Sequence, residues 1–230
     1  MKKRTSTAGI QPPAGKGQGA TGQGSTDPGS GVETLPLFPL NAVLFPGGPL
    51  KLRIFEARYV DMIGRCMRED SAFGVALISE GVEAGGEART MNIGTTARIV
   101  DFEQLQDGLL GITAVGGRCF SIDSTTRQGD GLNVATVSWL PAEPTLPVPD
   151  DSDYLVRLLQ HALPQLAPVY DFTRVHYEDA SWVSMRLVEI LPLPLPEKQR
   201  CLEMQDPLRR LQHLRMRVSA EAVRQENDLQ

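Results

Sequence analysis

The order of apolar and polar residues near the start of the chain predicts two strands and a helix. An apolar run at residues 35–40 precedes the turn sequence FPGGP at residues 45–49, and Leu50–Ile54 then alternates between apolar and charged residues. A period of two is typical of a strand with one buried face. From Tyr59 onward the spacing becomes helical, with further apolar residues at Met62, Ile63, Cys66 and Met67. We therefore expect the helix to begin near Glu56.

Short strands are predicted as far as residue 140. They are expected at residues 73–78, 95–104, 109–115, 118–125 and 132–140, with a Gly- and Glu-rich surface loop at 80–89. Asp107-Gly108 lies between two of these strands and is a strong hairpin signal. Gly116-Gly117 predicts a further turn. Regularly spaced short strands with Gly-rich turns favour a small antiparallel barrel or sandwich.

The composition changes at residue 141. Pro141–Pro149 contains four prolines and predicts a linker, and the residues after it carry helical apolar spacing. Helices are predicted from Ser152 or Asp153, at 178–191, at 197–204, and after Asp206-Pro207, where Asp would cap the helix. The sequence thus divides into a tail (1–32), a β-rich part (33–140), a linker (141–151) and a helical part (152–230). The tail has almost no large apolar side chains, and we expect it to be disordered.

Several motifs in this order resemble one family. The residues PLFPL, VLFPG and IFEARY in segment 36–59 are followed by Phe73-Gly74-Val75, Ile93-Gly94-Thr95 and Ser181-Trp182-Val183. This series resembles the N-terminal substrate-binding domain of the ATP-dependent Lon proteases, over roughly residues 34 to 215. The resemblance implies an α+β fold, in which a PUA-like β pseudo-barrel precedes a C-terminal helical bundle. The same barrel type occurs in some RNA-modifying enzymes.

The chemistry of a complete Lon protease is not expected here. An ATPase needs the phosphate loop GxxxxGK[ST], and none of the lysines (Lys2, Lys3, Lys16, Lys51 and Lys198) lies in that pattern. The Ser–Lys pair of a Lon protease domain is not expected either, so we predict a chain without ATPase or protease domains and with no catalytic residues. The three histidines lack metal-ligand spacing, and the three cysteines form no CxxC pair. We therefore expect neither a metal nor a cofactor.

Charge and composition limit the remaining functions. The formal net charge of −5 argues against a general grip on phosphate backbones, so nucleic acid is not the expected partner. No segment approaches the roughly 20 apolar residues of a membrane span, and the N-terminus lacks the apolar core of a signal peptide. With no cysteine framework, a cytoplasmic location is expected.

The resemblance implies a non-catalytic module that binds polypeptides. Partners would be unfolded polypeptides, or a protease or chaperone that the chain serves as an adaptor in protein quality control. Binding of RNA or a small ligand through the barrel is the alternative. Candidate substrate-binding residues are Glu56, Arg58 and Tyr59, which match the family's FExRY pattern, and Trp182. An ion pair and a tyrosine that lock the strand–helix junction, with Trp182 in the core, remain the structural alternative. We expect the binding surface at the seam between barrel and bundle.

Overall fold

The computed structural model describes residues 33–83, 88–166, 169–170 and 174–228, with side chains up to residue 219. The predicted tail, residues 1–32, lies outside the described residues. The strands are β1 (Glu33–Leu40), β2 (Pro49–Ile54), β3 (Phe73–Gly81), β4 (Ala88–Gln104), β5 (Leu110–Arg127) and β6 (Asn133–Trp139). The helices are α1 (Ala57–Glu69), α2 (Asp153–Ala162), α3 (Ala180–Ile190), α4 (Leu195–Glu203) and α5 (Pro207–Asp228), with short 3₁₀ turns at Asp150–Ser152 and Leu163–Leu166.

The six strands form one mixed sheet that closes on itself. Their order is β2-β5-β4-β3-β1-β6, and β6 also pairs with β5, which completes a barrel and leaves β2 outside it. Every described pairing is antiparallel except that of β1 with β3. The prediction of an antiparallel barrel was therefore wrong in this one respect. The parallel pair arises because α1 carries the chain back across the barrel between β2 and β3, as parallel neighbours require.

The predicted turn at Gly116-Gly117 was also wrong. Both glycines lie inside β5, which runs unbroken through them. A Cβ at Gly116 would overlap the backbone carbonyl of Phe45, and one at Gly117 would stand 2.5 Å from Thr96 Oγ1. These glycines therefore allow close approach of neighbouring chain segments, which is the other common reason for glycine in a strand.

Other element boundaries moved by a few residues. The predicted loop at 80–89 is shorter, because β3 extends to Gly81 and β4 begins at Ala88. Its centre, residues 84–87, lies outside the described residues. Glu56 precedes α1 as its N-cap, and α3 begins at Ala180, two residues later than predicted. Asp206 caps α5 as expected, since its Oδ1 accepts hydrogen bonds from the backbone N–H groups of Leu208 and Arg209.

Three clusters of buried apolar residues support the fold, and the smallest lies on the sheet and includes Leu35, Phe120 and Val137. The barrel core lies between the sheet and α1 and includes Phe38, Ile63 and Phe73. The helical core is formed mainly by α2 to α5, and Phe45 of the β1–β2 connection is fully buried in it. Val32–Gln230 forms one compact unit. Among the described helices, none combines the length and the apolar content needed to span a membrane.

Candidate functional site

The barrel and the helices are joined by the β1–β2 connection. Phe45 is fully buried, and its ring belongs to the helical core although the residue lies between strands β1 and β2 of the sheet. On the other side of the interface, Gln199 of α4 donates a hydrogen bond to the carbonyl of Ile93 in β4, at 3.0 Å. The seam is therefore a packed interface with apolar and polar contacts.

A buried ion pair lies beneath the same connection. Arg186 of α3 has no exposed side-chain surface, and its Nη2 donates to the carbonyl of Pro46 at 2.8 Å and to Glu189 Oε1 at 2.6 Å. Tyr170 donates to the second oxygen of Glu189 at 3.1 Å. Burial raises the pKa of Glu189 to about 7, although the Arg186 guanidinium opposes the shift. Gly48 allows this arrangement, because a Cβ there would overlap the Glu189 carboxylate.

The raised pKa of Glu189 predicts a pH-dependent stability. The carboxyl titrates near 4.5 when unfolded and near 7 when folded, so the folded state holds more protons between these values. The free energy of unfolding must then fall as the pH rises from about 4.5 to about 7. Since one pKa unit corresponds to about 1.4 kcal/mol, the fall is on the order of a few kcal/mol. Glu189→Gln is expected to remove this slope in urea titrations at pH 5 and pH 7.5.

A matched control is Glu69→Gln, which changes an exposed carboxylate on α1. This variant should keep the slope of the wild-type protein. If Glu189→Gln shows the same pH dependence of stability as the wild type, that dependence does not come from the buried Glu189 carboxyl.

A second buried arginine ties the segment after β6 to the helices. Arg210 of α5 has no exposed side-chain surface and forms an ion pair with Glu143. Its remaining N–H groups donate to the carbonyls of Cys201 and Met204 and to Ser184 Oγ. Glu143 also accepts a hydrogen bond from Ser181 Oγ at 2.6 Å. The segment predicted as a linker therefore lies against α3 and α5.

A cleft of about 320 Å³ opens at the seam, and we call it the seam cleft. The β1–β2 connection, β5, the segment after β6, α3 and α4 all contribute to it. Its apolar lining residues are Pro46, Cys119, Leu140, Pro141, Ala142, Trp182, Met185 and Leu202, and its polar ones include Arg118, Glu143, Asp179, Ser181 and Gln205. The wall is thus apolar with a polar rim, as is typical of ligand and peptide pockets.

Trp182 forms part of the wall of the seam cleft. Only 9% of its surface is exposed, and Tyr177 packs edge-on against the indole with a centroid distance of 5.4 Å. The guanidinium of Arg186, which is also on α3, lies 5.9 Å from the centroid of the Trp182 ring. These contacts hold the indole in one orientation beside the cleft.

The other three candidate residues lie together at the β2–α1 junction. Arg58 pairs with Glu56 at 2.7 Å and donates to the carbonyl of Gly131 at 2.8 Å. The Arg58 guanidinium lies over the ring of Tyr59, which stacks on Phe38 with a centroid distance of 3.9 Å. None of these residues lines the seam cleft. The contacts support a structural lock, while a role in substrate binding stays a prediction.

Sequence reasoning did not find most residues of the seam cleft. Leu140, Ala142, Met185 and Leu202 come from segments far apart in the chain. Apolar spacing marks Met185 and Leu202 only as helix residues, and the Pro-rich composition after residue 140 suggested a linker. Only the tertiary structure shows that Trp182 and Leu140, which directly follows β6, line the same cleft.

The described residues supply few groups for chemistry. Lys198 Nζ donates to the backbone carbonyl of Glu189 at 2.8 Å, and burial lowers the pKa of this ammonium group. Burial raises the pKa of each thiol, Cys66, Cys119 and Cys201, which keeps them protonated. Within the described part of the chain, no cluster of three or more His, Cys, Asp or Glu side chains is placed to hold a metal ion.

The family follows from the sequence match. Residues 34–218 match the family described as the ATP-dependent protease La (LON) substrate-binding domain. The chain belongs to this family. The match is to the Lon substrate-binding domain and not to the ATPase or the protease domain. The expected family and the expected α+β fold class are confirmed, and the structure realises that class as a mixed sheet of six strands with five helices.

Solved structures agree with the Lon substrate-binding fold. A Lon N-terminal domain protein from Xanthomonas campestris is 35% identical, with a TM-score of 0.66, over 80% of this chain and 97% of that one. The N-terminal domain of a Mycobacterium avium complex Lon protease has a TM-score of 0.56 at 17% identity, over 79% of this chain and 96% of that one, which supports the fold alone.

One full-length relative is the protein cereblon of Xenopus tropicalis. It is 32% identical over 135 residues, which are 57% of this chain and 29% of cereblon. The matching part of this chain therefore spans less than a third of that protein's length.

Proposed function

We propose that this chain is a non-catalytic polypeptide-binding module whose seam cleft receives an apolar side chain of the substrate. The observation that carries the proposal is the apolar wall of that cleft in a member of the Lon substrate-binding family. Buried hot spots in protein interfaces are commonly single aromatic or apolar side chains seated in such pockets.

The size of the seam cleft suits this occupant. Its volume of about 320 Å³ lies at the low end of the range for small-molecule pockets, roughly 300–1,000 Å³. One large side chain of an extended or unfolded polypeptide fits that space better than a cofactor. The polar rim, including Asp179 and Gln205, can accept or donate hydrogen bonds to the substrate backbone.

The module serves best as an adaptor. In this proposal the chain itself hydrolyses neither peptides nor ATP, which is supported by its match to the substrate-binding domain of the Lon family. It presents bound unfolded polypeptides to a protease or chaperone in cytoplasmic protein quality control. The Lon family membership supports this role by analogy.

One observation favours RNA as a second candidate. Arg58, Arg89 and Arg127 line a polar cleft of about 480 Å³ to which α1, β4 and β5 contribute. Two facts count against RNA. Arg89 is already ion-paired with Glu80, and the net charge of the chain is −5. RNA binding that weakens steeply as salt rises would favour this candidate over the polypeptide.

The test is to fill the seam cleft from its exposed rim. Ala142 is exposed and lines the cleft, so Ala142→Phe places a ring in the cleft with little effect on the core. We expect this variant to bind reduced, carboxymethylated α-lactalbumin, a permanently unfolded polypeptide, at least 10-fold more weakly than the wild type. Fluorescence anisotropy of the labelled polypeptide measures the dissociation constant.

Ala57→Phe is the matched control, because Ala57 is also an exposed alanine and lies at the β2–α1 junction. Its affinity should stay within about twofold of the wild type, about 0.4 kcal/mol. If Ala57→Phe weakens binding and Ala142→Phe does not, the binding site lies at Glu56, Arg58 and Tyr59 and not at the seam cleft. No binding by the wild-type protein would refute the proposed function.

A further inference from the structure

β2 has an open edge. It pairs with β5, and each of the other five described strands has at least two neighbours in the sheet. β2 is therefore the one described strand that has a single neighbour along its whole length. An open edge exposes backbone N–H and C=O groups that can pair with another extended chain.

The register identifies the backbone groups that face outward. Gly116 N–H donates to the carbonyl of Gly48, which marks these two residues as a hydrogen-bonded pair. In an antiparallel ladder, bonded and non-bonded pairs alternate. The next bonded pairs are Leu50 with Ala114, Leu52 with Ile112 and Ile54 with Leu110. The N–H and C=O groups of Lys51 and Arg53 consequently point away from β5.

These outward groups have no backbone partner in the part of the chain that the structure describes. No backbone hydrogen bond of Lys51 or Arg53 reaches a loop, turn or helix there, and neither residue pairs with a strand other than β5. The two N–H groups and two carbonyls are thus available for an added strand.

The side chains of β2 define what such a strand should carry. Lys51 and Arg53 are exposed on one face, while Leu50 and Leu52 are half-buried on the other and pack against the barrel core. Arg53 has an ion pair with Asp107 at the β4–β5 turn, and the Lys51 ammonium has no ion-pair partner among the described residues. Cross-strand neighbours favour opposite charges and matched apolar side chains.

A second copy of this chain fits the edge poorly. Two β2 strands paired in antiparallel would place Lys51 and Arg53 of one copy opposite the same cationic residues of the other. Like charges directly opposite each other are destabilising. Pro49 and Lys51 also belong to the residue types that protect edge strands from self-association. The charges of β2 therefore disfavour pairing with a second copy of β2 and favour pairing with an acidic strand.

We propose that the open edge of β2 binds an extended segment of a substrate polypeptide in which acidic and apolar residues alternate. The inference deepens the proposed function and rests on it, because it assigns a second contact and a sequence preference to polypeptide binding. Backbone pairing supplies affinity that is independent of sequence, and the alternating side chains supply the selection.

The probe is a soluble 10-residue peptide of alternating Asp and Val, compared with a peptide of the same composition arranged in two blocks. The alternating peptide should bind at least 10-fold more tightly. On binding, the amide hydrogen exchange of Lys51 and Arg53, measured by NMR on the full chain, should slow at least 10-fold. Equal binding of the two peptides, or unchanged exchange at both amides, would overturn the inference.

Lys51→Pro tests the edge directly. It removes an N–H that the fold does not use, and proline is tolerated on edge strands at such positions. Lys51→Gln is its control, because glutamine removes the charge and keeps the N–H. We expect a loss of at least 10-fold in peptide affinity for Lys51→Pro and a smaller loss for Lys51→Gln. Equal affinities of the two variants would contradict strand pairing.

The peptide offers a test that leaves the protein unchanged. Two peptides N-methylated on alternate amides should differ, because one set of amides faces β2 and the other faces solvent. One methylated peptide should lose binding and the other keep it, and equal behaviour would overturn the inference. A dimer of the wild-type chain that Lys51→Pro abolishes in sedimentation would instead show self-pairing and contradict it.

The outcome for the unfolded polypeptide separates this inference from the proposed function. If carboxymethylated α-lactalbumin binds Lys51→Pro and the wild type equally, and the alternating peptide does not bind, the edge inference fails and the proposed function stands. If the wild type binds neither, both fail.

Discussion

Arg210→Met is expected to lower the free energy of unfolding by about 3–5 kcal/mol, the range seen when one partner of a buried ion pair is removed. The variant leaves Glu143 without its cation and removes the donors to the carbonyls of Cys201 and Met204. Methionine fills a similar volume, so lost packing contributes little. Urea denaturation followed by circular dichroism gives the free energy.

The control for this change is Arg209→Met, at the neighbouring exposed position of α5. Surface substitutions of this kind usually change stability by no more than about 0.5 kcal/mol. Adding Glu143→Gln to Arg210→Met should restore part of the loss, because the uncompensated carboxylate is then neutral. Equal stabilities of Arg210→Met and Arg209→Met would show that the buried network does not hold the post-β6 segment in place.

Phe45→Ala is expected to cost about 3–5 kcal/mol, as for other fully buried aromatic residues. The ring is the apolar anchor through which the β1–β2 connection enters the helical core. Because its loss opens a cavity at the seam, amide hydrogen exchange should accelerate in α3 and α4 more than in β4. Urea denaturation and exchange measured by mass spectrometry test the two parts of this expectation.

Phe55→Ala provides the comparison at nearly the same place in the chain. Phe55 directly follows β2 and has 60% of its surface exposed, so its truncation should cost about 0.5 kcal/mol or less. A similar loss in both variants would mean that Phe45 is not the anchor. Faster exchange confined to the barrel would point to the same conclusion.

The sequence predicted the elements well wherever local chemistry specifies them. The alternation in Leu50–Ile54 gave β2, and Asp206-Pro207 gave the start of α5. The Asp107-Gly108 hairpin was also correct, since β4 and β5 are joined there and Gly108 has a φ of 82°. In each case the signal lies within a few consecutive residues and does not depend on distant partners.

Glycine was the residue type that sequence reasoning misread. The local signal at Gly116-Gly117 is the same whether the chain turns or a distant segment approaches closely. The close neighbour of Gly116 is the carbonyl of Phe45, some 70 residues earlier in the chain. Only the folded barrel distinguishes the two cases.

The sequence by itself determined the family, the α+β class and the order of a β-rich part before a helical part, because motifs and periodicity are properties of neighbouring residues. The tertiary structure alone decided that Phe45 anchors the helices, that Glu143 meets Arg210, and that Trp182 and Leu140 share one cleft. The ion pair of Glu143 with Arg210 joins residues 67 positions apart, and the geometry of these contacts follows from how the sheet closes and how the helices pack against it.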